Sequence, residues 1–175
     1  MSIEDIIIQG IGFIGTILYL SAFQCKNRGT ILMVQVAASL CFALHFGLLT
    51  AFSGCAMNLI SSCRATIFFF REKHRWAGSV VWLPVFIVIS TVLTICTWES
   101  WISLLPLIGM VSTSFAQFSK SPKLVRLLTL PNCPCWLIYN GISGSISGVI
   151  TEILIAISII VGFLRHDVKR DKKEA

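Results

Sequence analysis

One carboxylate stands inside an otherwise apolar stretch of this chain. Glu152 lies about six positions into the run 146–164 and is the only acidic residue within any such run. An ionisable group placed that deep in hydrocarbon marks a functional site or a buried pair by default. Arg64 is the matching cation, the one basic residue set apart from the basic clusters. Two chemistries are open. Glu152 can bind a polar solute and carry a titratable proton, which suits proton coupling. It can instead close a structural ion pair with Arg64, whose side chain leans toward the N-terminus of its own helix and so toward Asn58. Arg64 can also snorkel toward Arg71, seven residues or about 10 Å of helix away.

Aromatic and amide residues supply a second set of candidates. Phe42 and His45, like Trp136 and Tyr139, are three residues apart and share one helical face. Together they make an amphipathic aromatic wall suited to a polar solute such as a sugar. Ordinary helix packing, or an aromatic belt at the outer interface, explains the same residues. His45 titrates near neutrality. Asn140 and Asn132 add polar groups that interhelical hydrogen bonding accounts for equally well. No oriented nucleophile and base, and no phosphate loop, can be found, so an enzyme is not expected. Cys133 and Cys135 form a CxC without a further His or Cys at ligand spacing, so neither a metal nor another cofactor is expected.

The elements that position these residues are apolar runs at about 6–23, 30–50, 53–70, 79–97, 102–118, 124–143 and 146–164. Each approaches the roughly 17–25 residues needed to cross hydrocarbon, where only helices or closed barrels satisfy the backbone. With 55% hydrophobic and 13% charged residues, the chain belongs to the membrane class. The first run follows Glu4 and Asp5 rather than a basic n-region, so no cleaved signal is expected. Thirteen of the 14 basic residues fall on alternate loops: Lys26 and Arg28; Arg71, Lys73 and Arg75; Lys120, Lys123 and Arg126; and the tail with Arg165, Lys169, Arg170, Lys172 and Lys173. The positive-inside rule makes these cytoplasmic and the N-terminus external. The net charge of +6 therefore sets orientation, and nucleic acid is not an expected partner. Seven cysteines scattered through apolar segments read as reduced, small hydrophobes.

A shift of 94 residues lays the chain on itself with ten identities between residues 14 and 71, among them Ile14-Gly15 on Ile108-Gly109, Cys41 on Cys135, Gly47 on Gly141, and Ser53-Gly54 on Ser147-Gly148. It sets Asn58 opposite Glu152, Phe42 opposite Trp136 and His45 opposite Tyr139. Three helices being an odd number, one extra crossing is needed for both units to share an orientation. The predicted fold is thus an all-α membrane protein of seven transmembrane helices, two parallel three-helix bundles joined by a linker helix (3+1+3). The units are 1–75 and 101–165, the linker 76–100, and a basic cytoplasmic tail covers 166–175.

The segments Leu104-Leu-Pro-Leu-Ile-Gly109, Cys135-Trp-Leu-Ile-Tyr-Asn140 and Gly144-Ser-Ile-Ser-Gly148, with Glu152 after them, resemble a YgjV-type bacterial inner membrane protein. The 3+1+3 plan resembles the wider SWEET and PQ-loop transporter superfamily. The first resemblance implies an inner-membrane location, and the second a small-solute transporter or facilitator. The second also implies substrate-binding asparagines at the depth of Asn58 and Glu152. Asn58 matches, whereas Glu152 departs by adding a proton. None of the prolines 84, 106, 122, 131 and 134 lies in the first half, and no Pro-Gln pair ends helix one or five. Pro131 and Pro134 are expected to kink helix six. The bilayer, a small polar solute and a second copy of the chain are the partners this reading admits. The competing reading is a non-transporting binding, sensor or scaffold protein, whose mark would be a dry core with Arg64 and Glu152 locked together.

Overall fold

Runs of apolar residues uninterrupted by proline satisfy their own backbone as helices, and every regular element among the described residues is helical. A computed structural model describes residues 3–22, 25, 28–118 and 122–162. Its α-helices are α1 (Ile3–Ala22), α2 (Arg28–Leu48), α3 (Phe52–Phe69), α4 (Trp82–Cys96), α5 (Leu104–Phe118), α6 (Pro122–Thr129), α7 (Asn132–Ile142) and α8 (Ile146–Gly162). Lys26, Lys120, Arg165 and the basic tail 166–175 lie outside the described residues, as do the side chains of Arg28, Lys123 and Arg126.

The expected run 124–143 is broken into α6 and α7 at Leu130 and Pro131. Pro131 has no N–H to continue α6, whereas Pro134 sits in the first turn of α7, where a missing N–H costs nothing. The run 79–97 is shorter than expected. Short 3₁₀ turns at Phe70–Glu72 and Arg75–Gly78 precede α4. By length and composition, Ile3–Ala22 and Gly29–Leu48 suffice to cross a membrane, while Trp82–Cys96, Trp101–Ala116 and Ile146–Val161 are shorter apolar helices.

Neighbouring helices close a ring. α1 packs on α2, α2 on α3, α3 on α5, α5 on α6 and α7, α7 on α8, and α8 returns to α1. α4 touches α3 and α5. Hydroxyls tie the ring where α8 meets α1, with Thr16 Oγ1 and Thr151 Oγ1 at 2.8 Å. The ring buries polar side chains, Arg64, Asn140, Ser147 and Glu152 among them, beside an apolar core that includes Phe46 and Met57, and it exposes Ile6, Ile17, Leu44, Val88, Ile95 and Ile157.

The α2–α3 and α7–α8 turns are built alike. Ala51 N donates to Phe46 O at 2.9 Å, and Ser145 N donates to Asn140 O at 2.9 Å. Thr50 and Gly144 take the left-handed conformation at the tip of each, with φ of 58° and 70°. Glycine adopts that conformation freely, but a β-branched residue is strained by about 1–2 kcal/mol. Thr50→Gly should therefore raise the thermal unfolding midpoint in detergent, corresponding to about 1 kcal/mol. An unchanged or lower midpoint would mean that the Thr50 Oγ1 bond to Leu49 O, 2.7 Å long, outweighs the strain.

Candidate functional site

The interior of the ring holds a cavity of about 110 Å³. Tyr19 of α1 lines it, with Gln35, Ser39, Phe42 and Phe46 of α2 and Asn58, Ser61 and Arg64 of α3. Across from them stand Met110 and Thr113 of α5, Asn132, Trp136 and Asn140 of α7, and Gly148, Thr151 and Glu152 of α8. No residue of α4 contributes to this wall.

Spacing explains which side chains arrive there. Phe42 and Phe46, like Trp136 and Asn140, are one helical turn apart and present one stripe. Glycines let these stripes approach their neighbours: a Cβ at Gly15 would come within 3.1 Å of the Phe42 ring, and one at Gly109 within 2.7 Å of Trp136 Nε1. Phe46 then meets the Trp136 ring at 5.9 Å between centroids.

Arg64 is 5% exposed and Glu152 9%, and of the two alternatives the ion pair between them is not formed among the described residues. Arg64 turns to α5 instead. Its Nη1 donates to Ser114 Oγ at 2.7 Å, with Thr113 Oγ1 at 3.4 Å and Met110 O at 3.5 Å. The hydroxyl-rich turn of α5 supplies these acceptors next to the guanidinium, whereas Glu152 stands on α8. The Cys133 thiol of α7 stands beside the Glu152 carboxyl. Tyr19 stands close enough to feel the charges of both Glu152 and Arg64. Asn58 is half-buried and donates from Nδ2 to Gly54 O of its own helix at 3.0 Å.

Four buried side-chain atoms among the described residues have no hydrogen-bond partner: Arg64 Nε, Ser90 Oγ, Asn140 Oδ1 and Glu152 Oε2. Three of the four belong to residues of the cavity wall. Each orphaned group costs about 1–3 kcal/mol. Their concentration in one cavity points to an occupant that would supply the missing partners.

His45 and Tyr139, expected on the same aromatic wall, are not on it. They seal the ring at the end nearest the two like-built turns. His45 is fully buried, with Nδ1 2.8 Å from Ile8 O and Nε2 2.8 Å from Ser145 Oγ. A carbonyl can only accept, so Nδ1 carries the proton and Nε2 accepts from Ser145, whose oxygen in turn accepts from Gly148 N at 3.1 Å. The Tyr139 hydroxyl accepts from Gly54 N at 2.7 Å, at the start of α3. Gln9 closes the same end, donating to Gly144 O at 2.7 Å and accepting from Ile146 N at 3.2 Å.

The remaining sequence candidates, Phe42, Asn58, Arg64, Trp136, Asn140 and Glu152, meet at the one cavity. Tyr19, Gln35, Ser39, Ser61, Thr113 and Thr151 were missed. The 94-residue shift held a signal for two of them, since it pairs Tyr19 with Thr113. For the short hydroxyls no sequence signal distinguishes cavity wall from helix packing.

A model of the Imp-YgjV family, described as bacterial inner membrane protein, matches residues 6–170 of the chain. No curated protein and no solved structure matches it.

Proposed function

Because the chain belongs to the Imp-YgjV family of bacterial inner membrane proteins, we propose that it crosses the membrane seven times and carries a small polar solute through the cavity between its two halves. In this reading α6 and α7 make one broken crossing, the N-terminus is outside and the C-terminus cytoplasmic. Units 1–75 and 101–165 flank the linker 76–100 in a SWEET-like 3+1+3 plan. The many large apolar side chains exposed on the outside of the ring support the multi-pass reading, since such a surface belongs against lipid.

The relation between halves is supported by features that recur 94 residues apart. α1 packs on α8 as α5 packs on α3, which is one interface built twice if α5 and α8 correspond to α1 and α3. The left-handed residues Thr50 and Gly144 differ by 94, as do the turn bonds from Ala51 to Phe46 and from Ser145 to Asn140. Gly15 lies against Phe42 as Gly109 lies against Trp136. In the cavity wall, Tyr19 and Thr113, Phe42 and Trp136, Phe46 and Asn140, Asn58 and Glu152, and Ser61 and Ile155 are related by the same shift.

The observation that carries the transport reading is the cluster of unpartnered buried polar atoms around the cavity. A scaffold with a dry core predicts Arg64 and Glu152 locked together, and the separation of the two favours a solute pathway. Uptake of labelled sugars and amino acids into proteoliposomes tests it. At least one solute should enter saturably, faster under an inward proton gradient, and Glu152→Gln should slow it about tenfold or more, equivalent to at least about 1.4 kcal/mol. Uptake no faster than in empty vesicles for every solute would overturn the transport reading. An undiminished rate and proton response in the variant would remove the proton-linked part.

A further inference from the structure

We propose that the cavity recognises a zwitterionic solute of amino-acid size, with its carboxylate on Arg64 and its ammonium on Glu152 and Asn140. This rests on the reading of the cavity as a solute site and names the class of solute.

The argument begins with charge. Two side chains of opposite sign, each more than nine-tenths buried, line one cavity without pairing to each other. An uncompensated ion in such surroundings costs several kcal/mol. A neutral sugar would leave the charge of Arg64 uncompensated, an inorganic anion would leave the Glu152 and Asn140 acceptors without a donor, and a simple cation would leave Arg64. A dipolar ion compensates both at once.

Hydrogen bonding points the same way. Arg64 Nε is a donor without an acceptor, on a planar fork that suits a carboxylate. Glu152 Oε2 and Asn140 Oδ1 are acceptors without a donor, and an ammonium has three N–H groups to offer. Trp136, one turn from Asn140 on α7, adds an aromatic face on the side assigned to the cation.

Size agrees. The ammonium nitrogen and the nearer carboxylate oxygen of an α-amino acid lie about 3 Å apart, three bonds from one another. Hydrogen bonds of about 2.8–3 Å at each end extend that to about 9 Å. Arg64 and Glu152 stand on the wall of the same small cavity. A cavity of about 110 Å³ suits a small solute of this kind.

The test uses the full-length protein in nanodiscs. Binding of the twenty protein amino acids and of glucose is measured by calorimetry. The amide and the 2-hydroxy acid of the tightest binder are then added, which remove the carboxylate and the ammonium in turn. At least one amino acid should bind saturably, and both analogues at least about tenfold more weakly. Arg64→Gln should erase the preference for acid over amide, and Glu152→Gln the preference for amine over hydroxyl. Arg64→Lys, which keeps the charge and loses the fork, serves if Arg64→Gln fails to fold, and should weaken the acid without affecting the amide. The comparison of analogues on the unmodified protein stands whatever the variants do. Equal binding of the amino acid and both analogues, or binding of none of the twenty, would overturn the proposal. Glucose binding alone, with uptake that depends on Glu152, would overturn it and leave the transport reading standing. Amino-acid binding that follows the analogue pattern, without uptake of any solute, would support the site and overturn transport instead.

Discussion

Gly54→Ala is expected to lower the stability of the protein by about 1–4 kcal/mol, the sum of overpacking and a weakened buried hydrogen bond. A Cβ at position 54 would lie 2.6 Å from Tyr139 Cε1, 3.0 Å from its hydroxyl and 3.1 Å from Phe46 Cγ. All three belong to buried rings that hold α2, α3 and α7 together. Moving Tyr139 away also releases the 2.7 Å bond from Gly54 N. Tyr139→Phe isolates that bond and should cost only about 1 kcal/mol. Gly148→Ala should behave like Gly54→Ala, since its Cβ would run into Asn140 Oδ1 and lie 2.6 Å from Ser145 Oγ. Gly47 and Gly141 provide the controls. The first would meet only Cys55 Sγ at 3.7 Å and the second nothing within 4 Å. Retention of a monodisperse protein after heating in detergent should separate the two pairs, with alanine harmful at 54 and 148 and harmless at 47 and 141. Four equally stable variants would count against the packing account.

His45→Leu is expected to cost about 2–4 kcal/mol of stability while leaving solute affinity per folded molecule unchanged. The ring nitrogens join α1, through Ile8 O, to the turn before α8, through Ser145 Oγ. Leucine fills the space but leaves the buried Ser145 hydroxyl proton without an acceptor, at about 1–3 kcal/mol, and removes the bond to Ile8 O, at about 1 kcal/mol. Asn58→Ala should show the converse. Asn58 bonds only within its own helix among the bonds described, so its loss should cost under about 1 kcal/mol of stability and show instead in solute binding. Unfolding in detergent and binding calorimetry on the same samples resolve the two effects. A His45→Leu protein of normal stability that no longer binds solute would return His45 to the binding wall.

The helices were legible because each is a local property of composition. Apolar runs located them, and Pro131 located the break between α6 and α7. Glu152 was legible as the lone carboxylate in such a run. Phe42, Asn58 and Trp136 were legible through spacing and the 94-residue shift. Arg64 was recognised, but its partner was not, because the hydroxyls of Thr113 and Ser114 compete with Glu152 and nothing in the sequence says which of them the guanidinium faces.

His45 and Tyr139 show where sequence reading stops. Each lies three residues from a wall residue, a rotation of about 300° that leaves it about 60° off the stripe. Phe46 and Asn140 lie four residues away, only about 40° off on the other side, and reach the cavity. On α2 and α7 the smaller offset reaches the wall, whereas on α3 the three-residue neighbours Asn58, Ser61 and Arg64 all line it, so the spacing alone does not decide. The sequence by itself determined the helices, the apolar exterior expected of the chain, and the faces on which its polar residues lie. The rotation of each helix about its axis was decided only by tertiary packing, because it is set where glycine, hydroxyl and aromatic contacts between neighbouring helices are satisfied together.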